Sequence, residues 1–223
     1  MHYDRRTFLL QAGSGLALAA APDAAAAMAP DAKFALQTLL EGNRRFVADR
    51  AACPPLTARR LELASGQQPF AIIVSCSDSR VPVEIVFDQI PGNIFGIRLA
   101  GNFVDEHGLG SIEYSVASFA SSLILVLGHT DCGAVKATVK YVKEGTSQPG
   151  HIQSLVDALA PAAKASKNAP GDWVANATAQ NVRDNVAGLH ARSTIVGGAV
   201  SDGKLSIAGG IYHLHTGEVT IIT

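Results

Sequence analysis

Two continuous apolar runs, at residues 70–74 and 123–127, limit the folds open to this chain. Each run is apolar at every position, whereas a strand with one face in water alternates apolar and polar residues. Such runs are typical of parallel strands that helices cover on both faces. A third, weaker run at residues 94–99 fits the same sheet. The sequence therefore predicts an α/β fold.

Helical periodicity separates these runs. Apolar residues recur every three or four positions in the segments 35–50, 109–119 and 152–159. That spacing places them on one helix face. Near the end, residues 209–214 and 219–222 flank a turn at 215–217 and predict a hairpin. The predicted fold is a central, mostly parallel β-sheet flanked by helices, with a C-terminal hairpin.

The composition fits one globular domain. The chain has 223 residues, of which 48% are hydrophobic, so it can bury one substantial core. Its 18 Lys and Arg and 19 Asp and Glu are dispersed, and no basic run predicts nucleic-acid binding. No apolar run is long enough for us to expect a stable membrane span.

The first residues have the features of an export signal. Residues 4–10 read D-R-R-T-F-L-L and precede a short, weakly apolar stretch, and Ala25-x-Ala27 offers a cleavage site. This pattern is typical of a twin-arginine signal peptide. The alternative, an amphipathic first helix, would need a charged face that the segment lacks. We predict a signal peptide at 1–27, a domain at 28–223, and a periplasmic or otherwise exported protein.

Two polar strings carry the candidate chemistry. C-S-D-S-R, residues 76–80, follows the first strong run, and H-T-D-C-G, residues 129–133, follows the second. Because loops at the carboxyl ends of parallel strands share one crevice, Cys76, His129 and Cys132 can converge. Two thiolates and an imidazole suit zinc, and three protein ligands leave a fourth position open for water.

Other interpretations of these strings stay open. An exported chain with 3 cysteines could instead hold one disulfide and one spare thiol, and H-x-x-C spacing occurs by chance. Asp78 and Arg80 favour a catalytic zinc site, because a structural site needs neither group beside its ligand. The weaker interpretation of this pair is an exposed ion pair that contributes little stability.

The paired C-S-D-S-R and G-H-x-x-C-G motifs resemble those of the β-carbonic anhydrase family, and the similarity runs from G-N-R-R-F at 42–46 to the C-terminus. The resemblance implies a zinc enzyme that reversibly hydrates carbon dioxide to bicarbonate and a proton. It implies that Cys76, His129 and Cys132 bind one zinc ion per chain and that Asp78 and Arg80 form the catalytic dyad. It further implies a homodimer or a dimer of dimers.

The resemblance extends to the substrate pocket of the family's plant-like branch, with core packing as the alternative role. The corresponding residues are Gln67, Phe95, Ala100, Tyr114 and Gly133. Gln67 or Gln68 is expected to reach the site of the partner subunit. Leu99 stands where the family usually has Asn, and His213 where Asp is common, which leaves the pocket's fine shape open. Cys53 has no family role and is predicted to be a free thiol.

One branch of the family also has a closed state, in which the aspartate binds zinc. That branch binds bicarbonate beside a tryptophan three residues before the first zinc cysteine. Here that position is Ile73, and the only tryptophan is Trp173. Because isoleucine offers no indole donor, we expect an open site in which Asp78 pairs with Arg80.

Two other functions compete with carbon dioxide hydration. Hydrolysis of carbonyl sulfide or carbon disulfide on the same fold would use the same nucleophile. A non-catalytic zinc or redox protein, with Cys76 and Cys132 paired as a disulfide, belongs to a different class. The presence of Asp78 and Arg80 disfavours that class.

Overall fold

The computed structural model describes residues 31–52 and 56–223, which form eight helices and five strands. The strands are β1 (Ala71–Ser75), β2 (Ile94–Arg98), β3 (Leu123–His129), β4 (Ser206–Tyr212) and β5 (Val219–Ile221). The helices are α1 (Ala32–Val47), α2 (Leu56–Leu63), α3 (Val83–Val86), α4 (Glu106–Phe119), α5 (Gly133–Glu144), α6 (Ile152–Ala165), α7 (Trp173–Arg192) and α8 (Thr194–Ser201). The predicted signal peptide at 1–27, the domain start at Met28 and the Cys53 thiol lie outside the described residues.

The strands form one sheet in the order β2-β1-β3-β4-β5. The first four are parallel, and β5 pairs antiparallel with β4 as the predicted hairpin. Ser75 pairs with Arg98 on one side and with Leu127 on the other, so β1 and β2 end level while β3 continues to His129. The predicted α/β fold is confirmed, and the loops after β1, β2 and β3 meet at one edge.

Helices cover both faces of the sheet. Alternate residues of β1 and β3 point to opposite faces, and all of them are buried. On one face Ile73 and Leu125 pack in a cluster with Phe87, and on the other Ile72 and Ile124 pack in a cluster with α7 residues. Each such fully buried side chain contributes about 1.5–3 kcal/mol. This two-sided burial explains why both strands are continuously apolar.

Glycines in the strands allow α7 to lie close to the sheet. A Cβ atom added at Gly128 would lie 2.8 Å from a methyl of Val182, and one at Gly209 would lie 2.6 Å from the other methyl of that side chain. Real Cβ contacts are essentially never that short, so α7 would have to move away. The close approach matters because α7 also contacts the loop after β2.

Helix boundaries differ from those predicted by periodicity. The first helix was predicted at 35–50 and forms at Ala32–Val47, because the Asp31 side chain accepts a hydrogen bond from the Phe34 N–H at 2.7 Å and caps the helix there. It ends before Asp49, whose φ of 53° is left-handed. The helix predicted at 109–119 begins earlier, at Glu106, for the same reason, with Asp105 as its cap.

Five further helices were not predicted from periodicity: α2, α3, α5, α7 and α8. Of these, α5 begins at the last residue of the second polar string, and the 20-residue α7 packs on one face of the sheet. Across residues 31–52 and 56–223, the structure contains no helix long and apolar enough to cross a membrane.

Candidate active site

Three buried side chains meet at the carboxyl edge of the sheet. Cys76 is the first residue after β1, His129 is the last residue of β3, and Cys132 caps the N-terminus of α5. Their ligand atoms all lie within 4.8 Å of one another, and both thiols are free. The structure thus brings together the three residues that the sequence selected as zinc ligands.

The His129 ring is oriented by its own loop. Its Nδ1 lies 2.8 Å from the carbonyl oxygen of Thr130, which can only accept, so Nδ1 carries the proton. Its Nε2 is buried and has no hydrogen-bond partner among the described residues. An unpaired buried polar atom is costly, and a metal ion removes that cost. Metal-binding histidines commonly donate their second ring N–H in this way, so the residues fit a zinc ion.

The pKa values of the two cysteines move in opposite directions. The neighbouring Cys132 thiol is the main reason that the pKa of Cys76 is lowered to about 4, against the effect of burial, and His129 and the N–H groups of Gly101 at 3.2 Å and Asp78 at 3.4 Å lower it further. The neighbouring Cys76, and then burial, raise the pKa of Cys132. The pair therefore holds negative charge in a dry pocket, which favours a cation.

Asp78 and Arg80 form a bidentate pair beside the three ligands. Nε of Arg80 donates to Oδ1 of Asp78 at 2.9 Å, and Nη2 donates to Oδ2 at 2.7 Å. These hydrogen bonds hold the pKa of Asp78 well below its usual range, although burial opposes them. Oδ2 also lies 3.9 Å from Nε2 of His129. An ionised carboxylate of fixed orientation thus faces the ligand cluster.

Arg80 also links the two polar strings. Its guanidinium donates to the carbonyl oxygen of Asp131 at 3.4 Å and lies 3.6 Å from the carboxylate of the same residue. Asp131 pairs with Lys136 of α5 as well, and that lysine is the main reason for the lowered pKa of Asp131. One arginine therefore fixes the Asp78 carboxylate and ties the β1 loop to the β3 loop.

Arg98 is a functional residue that sequence reasoning missed. It ends β2, and its side chain donates to the carbonyl oxygens of Cys76 at 3.1 Å and Asp78 at 2.7 Å. These bonds hold the backbone of the C-S-D segment. No local sequence signal marks Arg98, because its role depends on the register that aligns it with Ser75.

The predicted pocket residues fall into two groups. Ala100 precedes Gly101, whose N–H contacts the Cys76 sulfur, and Gly133 follows Cys132. Phe95 instead pairs with Ile72, three positions before the end of β1, or roughly 10 Å from that edge. Within one chain, the structure brings Ala100 and Gly133 to the ligands but not Phe95.

Phe95 belongs to an aromatic cluster between β2 and α4, because its partners Tyr114 and Phe119 lie on α4. Its ring centroid lies 6.3 Å from that of Tyr114 and 6.0 Å from that of Phe119. Tyr114 is 57% exposed, and Gln67 is exposed as well. The neighbouring Gln68 donates to the carbonyl oxygen of Phe119 at 3.2 Å. Gln67, Phe95 and Tyr114 therefore group at the edge of the sheet, apart from the ligands.

A cavity of about 590 Å³ lies behind the second polar string, next to the hairpin. Thr130, Asp131 and His213 line it, but none of the three candidate ligands does. The candidate ligands therefore do not open into this cavity.

The two positions that bear on a closed state, Ile73 and Trp173, lie in different parts of the fold. Ile73 is fully buried within the core on the α1 and α3 side of the sheet. Trp173 begins α7, and its indole N–H donates to the carbonyl oxygen of Ala163 at 2.9 Å. Trp173 thus bonds to α6, and it does not take the place of the tryptophan that the other branch has at the position of Ile73.

Together the fold and the site define a class: α/β enzymes with a candidate three-ligand metal centre at the carboxyl edge of a parallel sheet. Comparison with known proteins narrows the class. The family model described as carbonic anhydrase matches residues 71–219. A carbonic anhydrase of Mycolicibacterium smegmatis is 40% identical over 188 residues, covering 84% of this chain and 91% of that protein. Carbonic anhydrase 2 of Mycobacterium tuberculosis is 39% identical over the same shares of the two chains.

Solved structures indicate the same family as these relatives. The β-carbonic anhydrase of Coccomyxa, determined in complex with acetazolamide, aligns with a TM-score of 0.65 at 29% identity, covering 84% of this chain and 86% of that chain. A tetrameric β-carbonic anhydrase of Sordaria macrospora has the same fold, with a TM-score of 0.66 at 21% identity over 84% and 96% of the two chains. The chain belongs to the β-carbonic anhydrase family and is a carbonic anhydrase.

Proposed function

We propose that this carbonic anhydrase reversibly hydrates carbon dioxide with a zinc ion bound by Cys76, His129 and Cys132. The observation that carries the proposal is the buried Nε2 of His129, which lacks a hydrogen-bond partner in the described part of the chain and belongs to a cluster with both cysteines. Three ligands leave an open position, unlike a closed structural site. When bound there, zinc lowers the pKa of a water molecule and makes hydroxide available near neutral pH.

Asp78 is proposed to orient the nucleophile. An ionised carboxylate can only accept hydrogen bonds, so it holds the hydrogen of the attacking oxygen and turns a lone pair toward carbon dioxide. Arg80 keeps Asp78 ionised and fixed through its bonds of 2.7 and 2.9 Å. Because both groups are in place beforehand, little reorganisation is needed at the moment of reaction.

The site is proposed to be open, as in the plant-like branch. The Asp78 carboxylate is satisfied by Arg80 on both oxygens. Leaving that pair to bind a metal would cost the two charge-assisted hydrogen bonds. Ile73 provides no hydrogen-bond donor for an inhibitory bicarbonate. Both observations support a state in which Asp78 stays with Arg80.

A homodimer is proposed to complete the substrate pocket, with dimers of dimers as the larger assembly. Tyr114 of α4 is 57% exposed, within the aromatic cluster that α4 forms with the edge strand β2. Exposed aromatic clusters mark interaction surfaces, and an edge strand presents unpaired backbone groups. A second copy of the chain on this edge could deliver Gln67, Phe95 and Tyr114 to the ligands of its partner.

Export is proposed on the twin-arginine pattern, with residues 1–27 removed and 28–223 as the mature domain. Replacing Arg5 and Arg6 by Lys should keep the protein in the cytoplasm with its activity intact, because the arginine pair directs export and precedes the domain. Fractionation of cells measures this. Undiminished export of the double variant would contradict the proposal.

The decisive experiment measures metal content and carbon dioxide hydration on the mature chain. We expect about one zinc ion per chain and hydration activity. Carbonyl sulfide and carbon disulfide belong in the same assay, because they would react with the same nucleophile. An absence of zinc, together with a Cys76–Cys132 disulfide in thiol titration, would replace the proposal with a redox function.

A further inference from the structure

We infer that Asn181 and Asn185 of α7 are positioning residues for the metal centre, because they hold the Gly101 N–H against the sulfur of Cys76. The inference rests on the proposed zinc site. Among the hydrogen bonds of the described residues, neither asparagine bonds to Cys76, His129 or Cys132. Their effect on the centre passes through the loop after β2.

Gly101 lies between the ligand and the helix. Its N–H donates to the Cys76 sulfur at 3.2 Å, and its carbonyl oxygen accepts from Nδ2 of Asn181 at 2.8 Å. Its φ of 88° is left-handed, and a Cβ atom would lie 2.6 Å from a methyl of Leu159. Only glycine can therefore present its N–H to the sulfur from this position.

A chain of hydrogen bonds determines which way both amides face. The Val104 N–H can only donate, and it reaches the side-chain oxygen of Asn185 at 2.9 Å. Nδ2 of Asn185 therefore faces Asn181 and donates to its backbone carbonyl oxygen at 2.8 Å and to its side-chain oxygen at 3.0 Å. That leaves Nδ2 of Asn181 to donate to Gly101. In this arrangement each of the two Nδ2 atoms faces an acceptor, so flipping either amide would break the chain.

The contact between α7 and the loop is buried. Asn181 is 4% exposed, Val104 is 5% exposed, and the Gly101 backbone is buried. Arg192 adds a bond to the Val104 carbonyl oxygen at 2.8 Å, near the end of the same helix. Without Asn181, the buried Gly101 carbonyl would lose its partner and the loop would shift to find another.

The N–H bond to sulfur withdraws electron density from a metal ligand. If the loop shifts, the sulfur donates more charge to the metal, which becomes a weaker Lewis acid. Partners outside the ligand set typically change metal affinity or activity by about 10–100-fold. We expect Asn181→Leu to lower kcat/KM for carbon dioxide hydration by about tenfold and to move the midpoint of its pH profile upward.

The cobalt(II)-substituted protein gives a second readout. In Asn181→Leu, the sulfur-to-cobalt charge-transfer band should move to lower energy, because the sulfur is more electron-rich. Asn185→Ala should move the band and the pH midpoint in the same direction by a smaller amount. Because it removes only a half-buried side chain, Asn185→Ala is the variant to measure if Asn181→Leu does not fold. An unchanged band and midpoint in a folded variant would overturn the inference, even if its melting temperature falls.

Asn176→Leu is the matched control. This asparagine lies on the same helix and donates to the carbonyl oxygens of Pro170 at 3.0 Å and Ala169 at 3.3 Å, away from the metal centre. Its band and midpoint should equal those of the unsubstituted chain, and an equal shift in all three variants would contradict a specific role. If the unsubstituted chain binds neither zinc nor cobalt, the proposed function fails and the inference fails with it.

Discussion

The carboxyl edge of the sheet and its outer edge at β2 differ in how far one chain completes them. At the carboxyl edge, Cys76, His129 and Cys132 are at most 4% exposed and are supported by hydrogen bonds from their own chain. At the β2 edge, Tyr114 is 57% exposed. One chain therefore forms the ligand set and the Asp78–Arg80 pair, whereas at the β2 edge it leaves Tyr114 exposed.

This contrast has a physical origin. Parallel strands bring their carboxyl ends together in any single chain, so residues that follow β1 and β3 converge without help. The outer edge of β2, by contrast, has no neighbouring strand, so a second molecule is needed to pair its backbone groups and to cover the exposed Tyr114 beside it. Variants at Cys76 and Asp78 and the pH dependence of activity probe the carboxyl edge, and a variant at Tyr114 probes the β2 edge.

Cys76→Ser should have the largest effect. It removes a ligand, so zinc should be lost and hydration activity should fall by more than about a hundredfold, beyond the range typical of outer-shell changes. Elemental analysis and hydration assays measure both. Ser75→Ala is the control, because the Ser75 hydroxyl is buried without a partner in the described residues and its removal should cost little. Full zinc content in Cys76→Ser would disprove the proposed ligand set.

Asp78→Asn should reduce kcat by about a hundredfold or more while zinc stays bound. An amide can donate a hydrogen bond to the nucleophile in the wrong sense and also leaves Arg80 without its charged partner. Asp131→Asn is the matched control, since this exposed carboxylate lies 3.6 Å from the same arginine but outside the ligand cluster. Equal activity in the two variants would refute the orienting role of Asp78.

Hydration activity should fall with pH as expected for a single protonation, without cooperativity. The pKa of Asp78 is lowered by Arg80, so the carboxylate stays ionised as pH falls through the neutral range. Its pairing stabilises the fold above the ordinary carboxyl pKa of about 4 and is lost only as pH falls through the lowered value. Activity should fall about tenfold per pH unit below the midpoint, as for one protonation. A steeper, cooperative loss just below neutral pH would indicate closure by Asp78.

Tyr114→Ala should have the smallest effect, with activity reduced a few fold and the dimer weakened. Most interface side chains cost less than about 1 kcal/mol of association free energy when truncated, and only hot spots cost about 2 kcal/mol or more. Sedimentation at several concentrations and hydration assays measure the two effects. Phe34→Ala is the control, because Phe34 is 59% exposed on α1, away from β2. If both variants associate equally well, the β2 edge is not the interface.

Sequence reasoning succeeded where the signal is local. The continuous apolar runs located β1 and β3, the pattern at 209–222 predicted the hairpin, and the polar strings directly after the runs supplied the three residues that cluster in the structure. The observed helix starts differ from the predicted ones because the side chains of Asp31 and Asp105 cap the helices by hydrogen bonds, and apolar periodicity carries no information about caps.

What the sequence alone determined is the set of chemical groups and the face of each strand, since residue type and period act over a few positions. Only the tertiary structure decided which backbone groups support them. Arg98 reaches the carbonyl oxygens of Cys76 and Asp78 because of strand register, and Asn181 reaches Gly101 across 80 positions of the chain. Such contacts join segments that are far apart in the sequence, and they use backbone atoms that every residue possesses. No residue pattern therefore predicts them.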